Sequence, residues 1–215
     1  MGDSKTNLSV RLTASDLTLW RGPNCLFEDL SFEVAAGSLL LVRGPNGSGK
    51  TTLLRVLSGL TRPETGRVDW CGESIEKSRQ AYGAELAYFG HANGLKTDLT
   101  VTQNLEFSAQ LYGQSGDRIP ALLDALNLTI CAALEVRYLS AGQKRRSALA
   151  RVLMSDATLW LLDEPVTNLD AAGRDYVEER LRGHVSGGGI AIAATHENIR
   201  ITNEAPDEIH LGGDL

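Results

Sequence analysis

A glycine-rich segment between residues 44 and 52 has the residue types and spacing of a phosphate-binding turn. It fits the pattern G-x-x-x-x-G-K-[ST] at Gly44, Gly49, Lys50 and Thr51. Glycines let backbone N–H groups turn inward around phosphate oxygens, and a following helix directs its positive end at the same anion. The lysine supplies a point charge for the β- and γ-phosphates, and the threonine hydroxyl is a ligand for Mg²⁺. The predicted binding residues are Gly44, Pro45, Asn46, Gly47, Ser48, Gly49, Lys50, Thr51 and Thr52.

A second chemical feature is a pair of carboxylates, Asp163 and Glu164, directly after the apolar run Leu159–Leu162. Ligands of open α/β sheets bind at the carboxyl ends of the strands. We expect Asp163 to hold Mg²⁺, directly or through water, and Glu164 to orient or deprotonate the attacking water. Together with Lys50, these residues predict hydrolysis of a nucleoside triphosphate.

The elements around these residues indicate an α/β fold. Four short apolar runs are typical of strands buried on both faces of a mainly parallel sheet. They are Ser38–Val42, Leu86–Phe89, Leu159–Leu162 and Ile190–Ala194. A helical pattern follows the glycine-rich turn and stops at Gly59, and another covers Ala171–Val185. At the N-terminus, Leu8, Val10 and Leu12 alternate with polar residues, which predicts an N-terminal antiparallel β part.

The middle of the chain changes character and predicts an inserted α-helical subdomain. Thr100 and Gln103 form a capping-box pattern, and Pro120 begins a second helical segment. From residue 93 to residue 155 the pattern is helical throughout. We therefore predict a single domain, residues 1–215, with a nucleotide-binding core from residues 1–92 and 156–215 and a helical subdomain from residues 93–155.

Composition excludes several classes of protein. The 215 residues are 42% hydrophobic, and 21 Lys and Arg against 27 Asp and Glu give a net charge of −6. That balance argues against a nucleic-acid partner and a polybasic membrane anchor. No apolar run approaches the roughly 18 residues of a membrane span, and the first 20 residues carry no secretory signal. Three scattered cysteines suit a reducing compartment and exclude a disulfide framework.

Between the two chemical motifs stands Leu139-Ser-Ala-Gly-Gln143, which resembles the LSGGQ signature of ATP-binding-cassette (ABC) ATPases. The motif order is also similar to that family: phosphate loop, signature, acidic strand end and then a histidine, here His196. The resemblance implies catalytic roles for Lys50, Glu164 and His196. It further implies nucleotide contacts from Ser140, Gly142 and Gln143, adenine stacking by Trp20, and ATP with Mg²⁺ as cofactors.

One position departs from the family pattern. The family carries a glutamine about nine residues before a Thr-Val or Ser-Val pair, and this chain has His91 there. Gly90-His91 followed by Gly94-Leu-Lys-Thr97 resembles the CcmA branch, the ATP-binding subunit of the haem exporter in bacterial cytochrome c maturation. His91 either replaces the glutamine in catalysis, or only caps a strand end or contacts the membrane subunit. The basic residues after the signature are interpreted as a solvated helix face; they are Lys144, Arg145, Arg146 and Arg151.

The resemblance also implies partners. The ATPase would form an ATP-dependent head-to-tail homodimer in which Ser140 and Gly142 of one copy close on the nucleotide at Lys50 of the other. It would serve a separate integral membrane subunit, CcmB-like, at the cytoplasmic face of the bacterial inner membrane. Two alternatives remain: a soluble ABC ATPase of iron–sulfur cluster assembly, and the ATPase subunit of an exporter for another substrate.

Overall fold

The computed structural model describes residues 10–201 and 206–212, and within them the strands form two sheets. In chain order the elements are β1 (Arg11–Arg21), β2 (Asn24–Ala35), β3 (Leu39–Arg43), α1 (Lys50–Leu57), β4 (Thr65–Trp70), β5 (Glu73–Ser74), α2 (Arg79–Ala84), β6 (Leu86–Phe89), α3 (Val101–Leu111), α4 (Ile119–Ala125), α5 (Ala141–Leu153), β7 (Leu159–Asp163), α6 (Ala171–Ser186), β8 (Ile190–Ala194) and β9 (Asp207–His210). No helix of these residues is both long and apolar enough to cross a bilayer.

The larger sheet is parallel and has the strand order β6-β7-β8-β3-β9. Ala194 at the end of β8 pairs with Val42 of β3 on one side and with Asp163 of β7 on the other. The carboxyl ends of these three strands therefore lie side by side. This register brings together the glycine-rich turn after β3, the acidic pair at the end of β7 and His196 after β8.

The smaller sheet is antiparallel and has the order β2-β1-β4-β5. It confirms the predicted antiparallel part beside a mainly parallel sheet. Leu8, the first residue of the predicted alternation, lies outside the described residues. The sequence pattern missed β4, β5, α2 and β9. In β4 only Val68 and Trp70 are buried, and β9 is a four-residue edge strand with a polar sequence, so neither has the apolar run of a central strand.

Each face of the parallel sheet is covered by its own hydrophobic core. One core packs the inserted helices and α6 against side chains such as Leu41, Trp160 and Leu162. The other packs α1 and the antiparallel sheet against the alternate residues, such as Val42 and Leu161. Both faces are buried, which is why the central strands are continuous apolar runs.

The inserted segment is less regular than its sequence pattern predicted. Its first helix, α3, begins only at Val101, and residues 91–100 form a non-helical loop. Buried Asn104 holds this loop, because its Nδ2 donates to the carbonyl of Lys96 at 3.0 Å and its Oδ1 accepts from the Lys96 N–H at 2.8 Å. The predicted capping box of Thr100 and Gln103 is confirmed. The predicted helix at Pro120 is also present, as α4.

Candidate active site

The glycine-rich turn joins β3 to α1 through backbone conformations that require glycine. Gly44 and Gly49 have φ angles of 140° and 101°. A Cβ atom on Gly44 would also lie 2.3 Å from the carbonyl oxygen of Leu211, so no side chain fits there. Helix α1 begins at Lys50 with Gly49 at its N-cap, and its free N–H groups therefore face the turn.

The ammonium group of Lys50 lies within the turn. Its Nζ donates to the carbonyl oxygens of Gly44 at 2.7 Å and Pro45 at 3.0 Å. It also lies 3.0 Å from Nε2 of His196. Burial lowers the pKa of Lys50, while the carboxylates of Glu164 and Asp163 oppose that shift. The lysine is thus a partly desolvated cation between the phosphate loop and the acidic pair.

His196 connects the phosphate loop to the acidic pair. Its Nε2 lies 3.0 Å from Oδ1 of Asn46 and 3.7 Å from Oε1 of Glu164. The segment around it is held by Arg43, whose Nη1 donates to the carbonyls of Thr195 at 3.1 Å and Glu197 at 2.6 Å. The role of Arg43 could not be predicted from the sequence, because a charged residue at the end of a buried strand has no neighbouring pattern that indicates its distant acceptors.

Thr51 and Asp163 offer a pair of hard oxygen ligands. The Thr51 hydroxyl donates to Oδ2 of Asp163 at 2.9 Å. Burial raises the pKa of Asp163, and the hydrogen bond from Thr51 and the charge of Arg145 oppose that shift. A hydroxyl and a carboxylate side by side fit Mg²⁺, which prefers oxygen ligands from one or two protein groups plus substrate phosphates. In the described part of the chain, no cluster of three His, Cys, Asp or Glu residues could hold a metal alone.

Glu164 is fixed by a strained backbone. Its φ angle is 50°, in the left-handed region that non-glycine residues seldom adopt. Its N–H donates to the carbonyl of Ala194 at 2.8 Å, and its Oε2 accepts from the Thr167 hydroxyl at 3.0 Å. A carboxylate held in this way keeps one direction, as an orienting group or base requires.

Lys50, Thr51, Asp163 and Glu164 border a cleft of about 720 Å³. The predicted site residues on its wall are Asn46, Gly47, Gly49, Lys50, Thr51, Thr52, Gly142, Asp163 and Glu164. The exposed side chain of His91, two residues beyond the end of β6, also lines the cleft. The cleft volume suits a nucleotide-sized ligand.

Seven predicted site residues are not on the wall of this cleft: Trp20, Gly44, Pro45, Ser48, Ser140, Gln143 and His196. Trp20, near the end of β1, is 42% exposed, whereas its neighbours Arg21 and Leu26 line the cleft. Ser140 and Gln143 instead satisfy each other in a capping box: Ser140 Oγ accepts from the Gln143 N–H at 3.2 Å, and Gln143 Oε1 accepts from the Ser140 N–H at 2.9 Å. Their predicted nucleotide contacts stay predictions.

The interpretation of the basic residues after the signature as a solvated helix face is wrong. Lys144, Arg145, Arg146 and Arg151 are all only partly exposed. Arg145 turns inward to backbone carbonyls at the strand ends, and burial lowers the pKa of both Arg145 and Arg151. The inward contacts of Arg145 could not be predicted from the sequence, because a helical pattern does not reveal which carbonyl groups of β6 and β7 lie opposite α5.

Comparison with known proteins assigns a family. The model of the ABC transporter family matches residues 27–167. The cytochrome c biogenesis ATP-binding export protein CcmA of Shewanella frigidimarina is 40% identical over 91% of this chain and 91% of its own length. The protein of the same name from Nitrosococcus oceani is 45% identical, over 93% and 92%.

A solved structure has the same fold. A bacterial Atm1-family ABC exporter with ATP bound superposes with a TM-score of 0.77 at 25% identity. The match covers 94% of this chain and 37% of the exporter chain.

Proposed function

The chain belongs to the ABC transporter family, in the branch of cytochrome c biogenesis ATP-binding export proteins, and from this premise we propose that it powers haem export. As an ABC ATPase subunit it binds ATP and hydrolyses it in support of transport. The observation that carries the haem proposal is its 40–45% identity to export proteins of cytochrome c biogenesis over more than nine-tenths of the chain.

The phosphate loop supplies the binding part of the mechanism. Lys50 donates to the loop carbonyls of Gly44 and Pro45, which are neutral acceptors. A phosphate oxygen is a charged acceptor and forms the stronger hydrogen bond, so the lysine would turn to the β- and γ-phosphates when nucleotide enters. Thr51 and Asp163 would hold Mg²⁺, which neutralises charge on the phosphates.

Glu164 and His196 supply the hydrolytic part. The fixed Glu164 carboxylate would orient or deprotonate the attacking water, and His196 would contact the γ-phosphate from the neighbouring strand end. His196 Nε2 is 3.7 Å from Oε1 of Glu164 and 3.0 Å from Lys50 Nζ, so the three groups surround one small volume. This convergence supports their assignment as the catalytic residues.

We assign the partners on the same basis. Two copies would pack head to tail, with Ser140, Gly142 and Gln143 of one copy facing the nucleotide of the other. Gly142 lines the cleft, whereas Ser140 and Gln143, in the same first turn of α5, do not, and Ser140 is exposed, which suits contact with a second copy. Trp20 would stack on adenine. The dimer would sit at the cytoplasmic face of the inner membrane on a CcmB-like subunit.

Complementation tests the haem proposal. The host is a bacterial strain that lacks the ATP-binding subunit of cytochrome c maturation. It would receive either this chain or the Glu164→Gln variant, in each case together with the membrane subunits that serve this chain. We expect the parent chain to restore haem-stained cytochrome c and the variant to restore none. ATPase activity without restored cytochrome c would reject haem export. In the organism that encodes this chain, its gene would also be deleted. Lost activity of iron–sulfur enzymes with normal cytochrome c in that deletion strain would favour a role in iron–sulfur cluster assembly.

A further inference from the structure

Arg145 joins three parts of the molecule. It lies in the first turns of α5, the helix that begins directly after Ser140. Its Nη1 donates to the carbonyl of Gly90 and its Nη2 to the carbonyl of Asp163. The guanidinium carbon lies 3.8 Å from the centroid of the Phe89 ring, so the cation also stacks on an aromatic face.

The two carbonyls have particular positions in the site. The Asp163 carbonyl belongs to the peptide that leads into Glu164, whose φ angle is 50°. The orientation of that peptide therefore sets the direction of the Glu164 side chain. The Gly90 carbonyl belongs to the peptide that leads into His91. Because β6 and β7 are adjacent in the sheet, a single guanidinium spans both strand ends.

Only an arginine meets these requirements. Its planar fork presents several N–H donors in fixed directions, whereas lysine is a point charge on a flexible stem. Burial disfavours the Arg145 cation and lowers its pKa, but Asp163 and Glu164 lie close enough to oppose that shift. The partly exposed Arg145 cation therefore lies beside two carboxylates and satisfies two backbone carbonyls in one fixed geometry.

We propose that Arg145 is a positioning residue: it aims Glu164 at the attacking water and fixes the signature end of α5 relative to the catalytic centre of the same copy. The proposal rests on the catalytic role given to Glu164 and on the contact of Ser140 with a second copy. Arg145 lines the cleft, but this positioning role needs no contact between its side chain and the nucleotide. Arg145 links the orientation of Glu164 in one copy to helix α5 of that copy, whose signature end would face the nucleotide of the other copy.

The test uses Arg145→Lys, which keeps the charge, and Arg145→Gln, which keeps a donor without the charge. The matched control is Arg180→Lys. Arg180 also holds α5 through a guanidinium–carbonyl hydrogen bond, from Nη2 to Leu153 at 2.9 Å, but at the far end of the helix. Thermal unfolding, ATP affinity and steady-state ATPase kinetics are measured on all four proteins, with saturating Mg²⁺.

We expect the kcat of Arg145→Lys to fall at least tenfold and that of Arg145→Gln to fall further, while the dissociation constant for ATP stays within about threefold. In a Glu164→Gln background, Arg145→Lys should weaken ATP-driven dimerisation about tenfold. Arg180→Lys should lose comparable thermal stability and keep its kcat.

Parental kcat in Arg145→Lys would overturn the proposal. So would equal losses of kcat and ATP affinity, or a failure of both Arg145 variants to fold while Arg180→Lys folds, since each outcome assigns Arg145 to general structure. An inactive parent protein that binds no ATP would instead overturn the proposed function.

Discussion

At the scale of single residues, the site holds its polar groups close together. Lys50 Nζ is 3.0 Å from Nε2 of His196, and the Thr51 hydroxyl is 2.9 Å from Oδ2 of Asp163. Substitutions that change one charge at a time therefore separate binding from hydrolysis.

Glu164→Gln tests the assignment of the base. The amide keeps the size of the side chain and removes the proton acceptor, so kcat should fall at least about 100-fold with ATP affinity retained. Lys50→Ala is the contrasting variant, because loss of the phosphate contact should weaken both binding and hydrolysis. ATP hydrolysis by Glu164→Gln at the parental rate would show that another group activates the water.

Asp163→Asn tests how much the buried charge of Asp163, the proposed metal ligand, destabilises the folded protein. Burial raises the pKa of Asp163, so its ionised form destabilises the folded protein at neutral pH. Asparagine should therefore increase the free energy of unfolding by about 0.5–2 kcal/mol at pH 7, without nucleotide. That gain should shrink as the pH falls toward about 4, where an unfolded aspartate also takes up a proton.

Urea denaturation at several pH values measures this effect, and Mg²⁺-dependent ATPase activity should be lost in the same variant. An Asp163→Asn protein that is less stable than the parent at pH 7 would mean that the Thr51 hydrogen bond outweighs the cost of burial.

His91→Gln tests the position at which the chain departs from its family. The His91 side chain lines the cleft. A glutamine offers a carbonyl oxygen to Mg²⁺ or the attacking water, whereas an imidazole offers only a ring nitrogen. If His91 takes the place of that glutamine, His91→Gln should change kcat, and steady-state ATPase kinetics at saturating ATP and Mg²⁺ measure the change. An unchanged kcat would place residue 91 outside the catalytic centre.

At the scale of elements, the start of α5 combines a helix cap with the signature. Ser140 and Gln143 form a capping box, and the same motif begins α3 at Thr100 and Gln103. Each cap contributes about 1 kcal/mol to stability. The structural role of Ser140 can therefore be separated from its proposed role toward a second copy by comparison with Thr100.

Ser140→Arg should leave ATP binding to the monomer intact and block ATP-driven dimerisation, because a long cation would enter the interface with the second copy. Thr100→Arg is the control: both variants lose a cap, and each should be about 1 kcal/mol less stable. Analytical ultracentrifugation with ATP, in a Glu164→Gln background, measures the outcome. A dimer formed equally well by both variants would reject the signature contact.

At the scale of the whole molecule, one copy would contribute two different surfaces to the proposed pair. The cleft contains the phosphate loop and the acidic pair, whereas Ser140 and Gln143 lie outside its wall. Ala141 and Gly142 border the cleft of their own copy, but Ser140 and Gln143 do not. This arrangement favours a head-to-tail pair, in which both surfaces are used twice.

Light scattering tests the pair directly. The Glu164→Gln protein with ATP and Mg²⁺ should shift to twice the monomer mass, because ATP that is not hydrolysed keeps the interface closed. The same protein with ADP supplies the comparison, and we expect it to stay monomeric. An unchanged mass with ATP, both alone and with the membrane subunit, would count against the sandwich arrangement.

The sequence determined the local chemistry of this protein. The glycine-rich turn, the acidic pair and the strand runs around them could be predicted, because each is a pattern of neighbouring residues with one physical meaning. The capping box at Thr100 follows the same rule. Polar edge elements such as β9 could not be predicted, because their pairing depends on a neighbouring strand rather than on an apolar run.

Only the tertiary structure decided which distant groups meet. Arg43 and Arg145 look like ordinary surface cations in the sequence, yet each donates to backbone carbonyls at strand ends. The position of His196 between Asn46 and Glu164 likewise depends on the β7-β8-β3 strand order. A buried cation is fixed by acceptors from several elements, and those acceptors come together only when the sheet has formed.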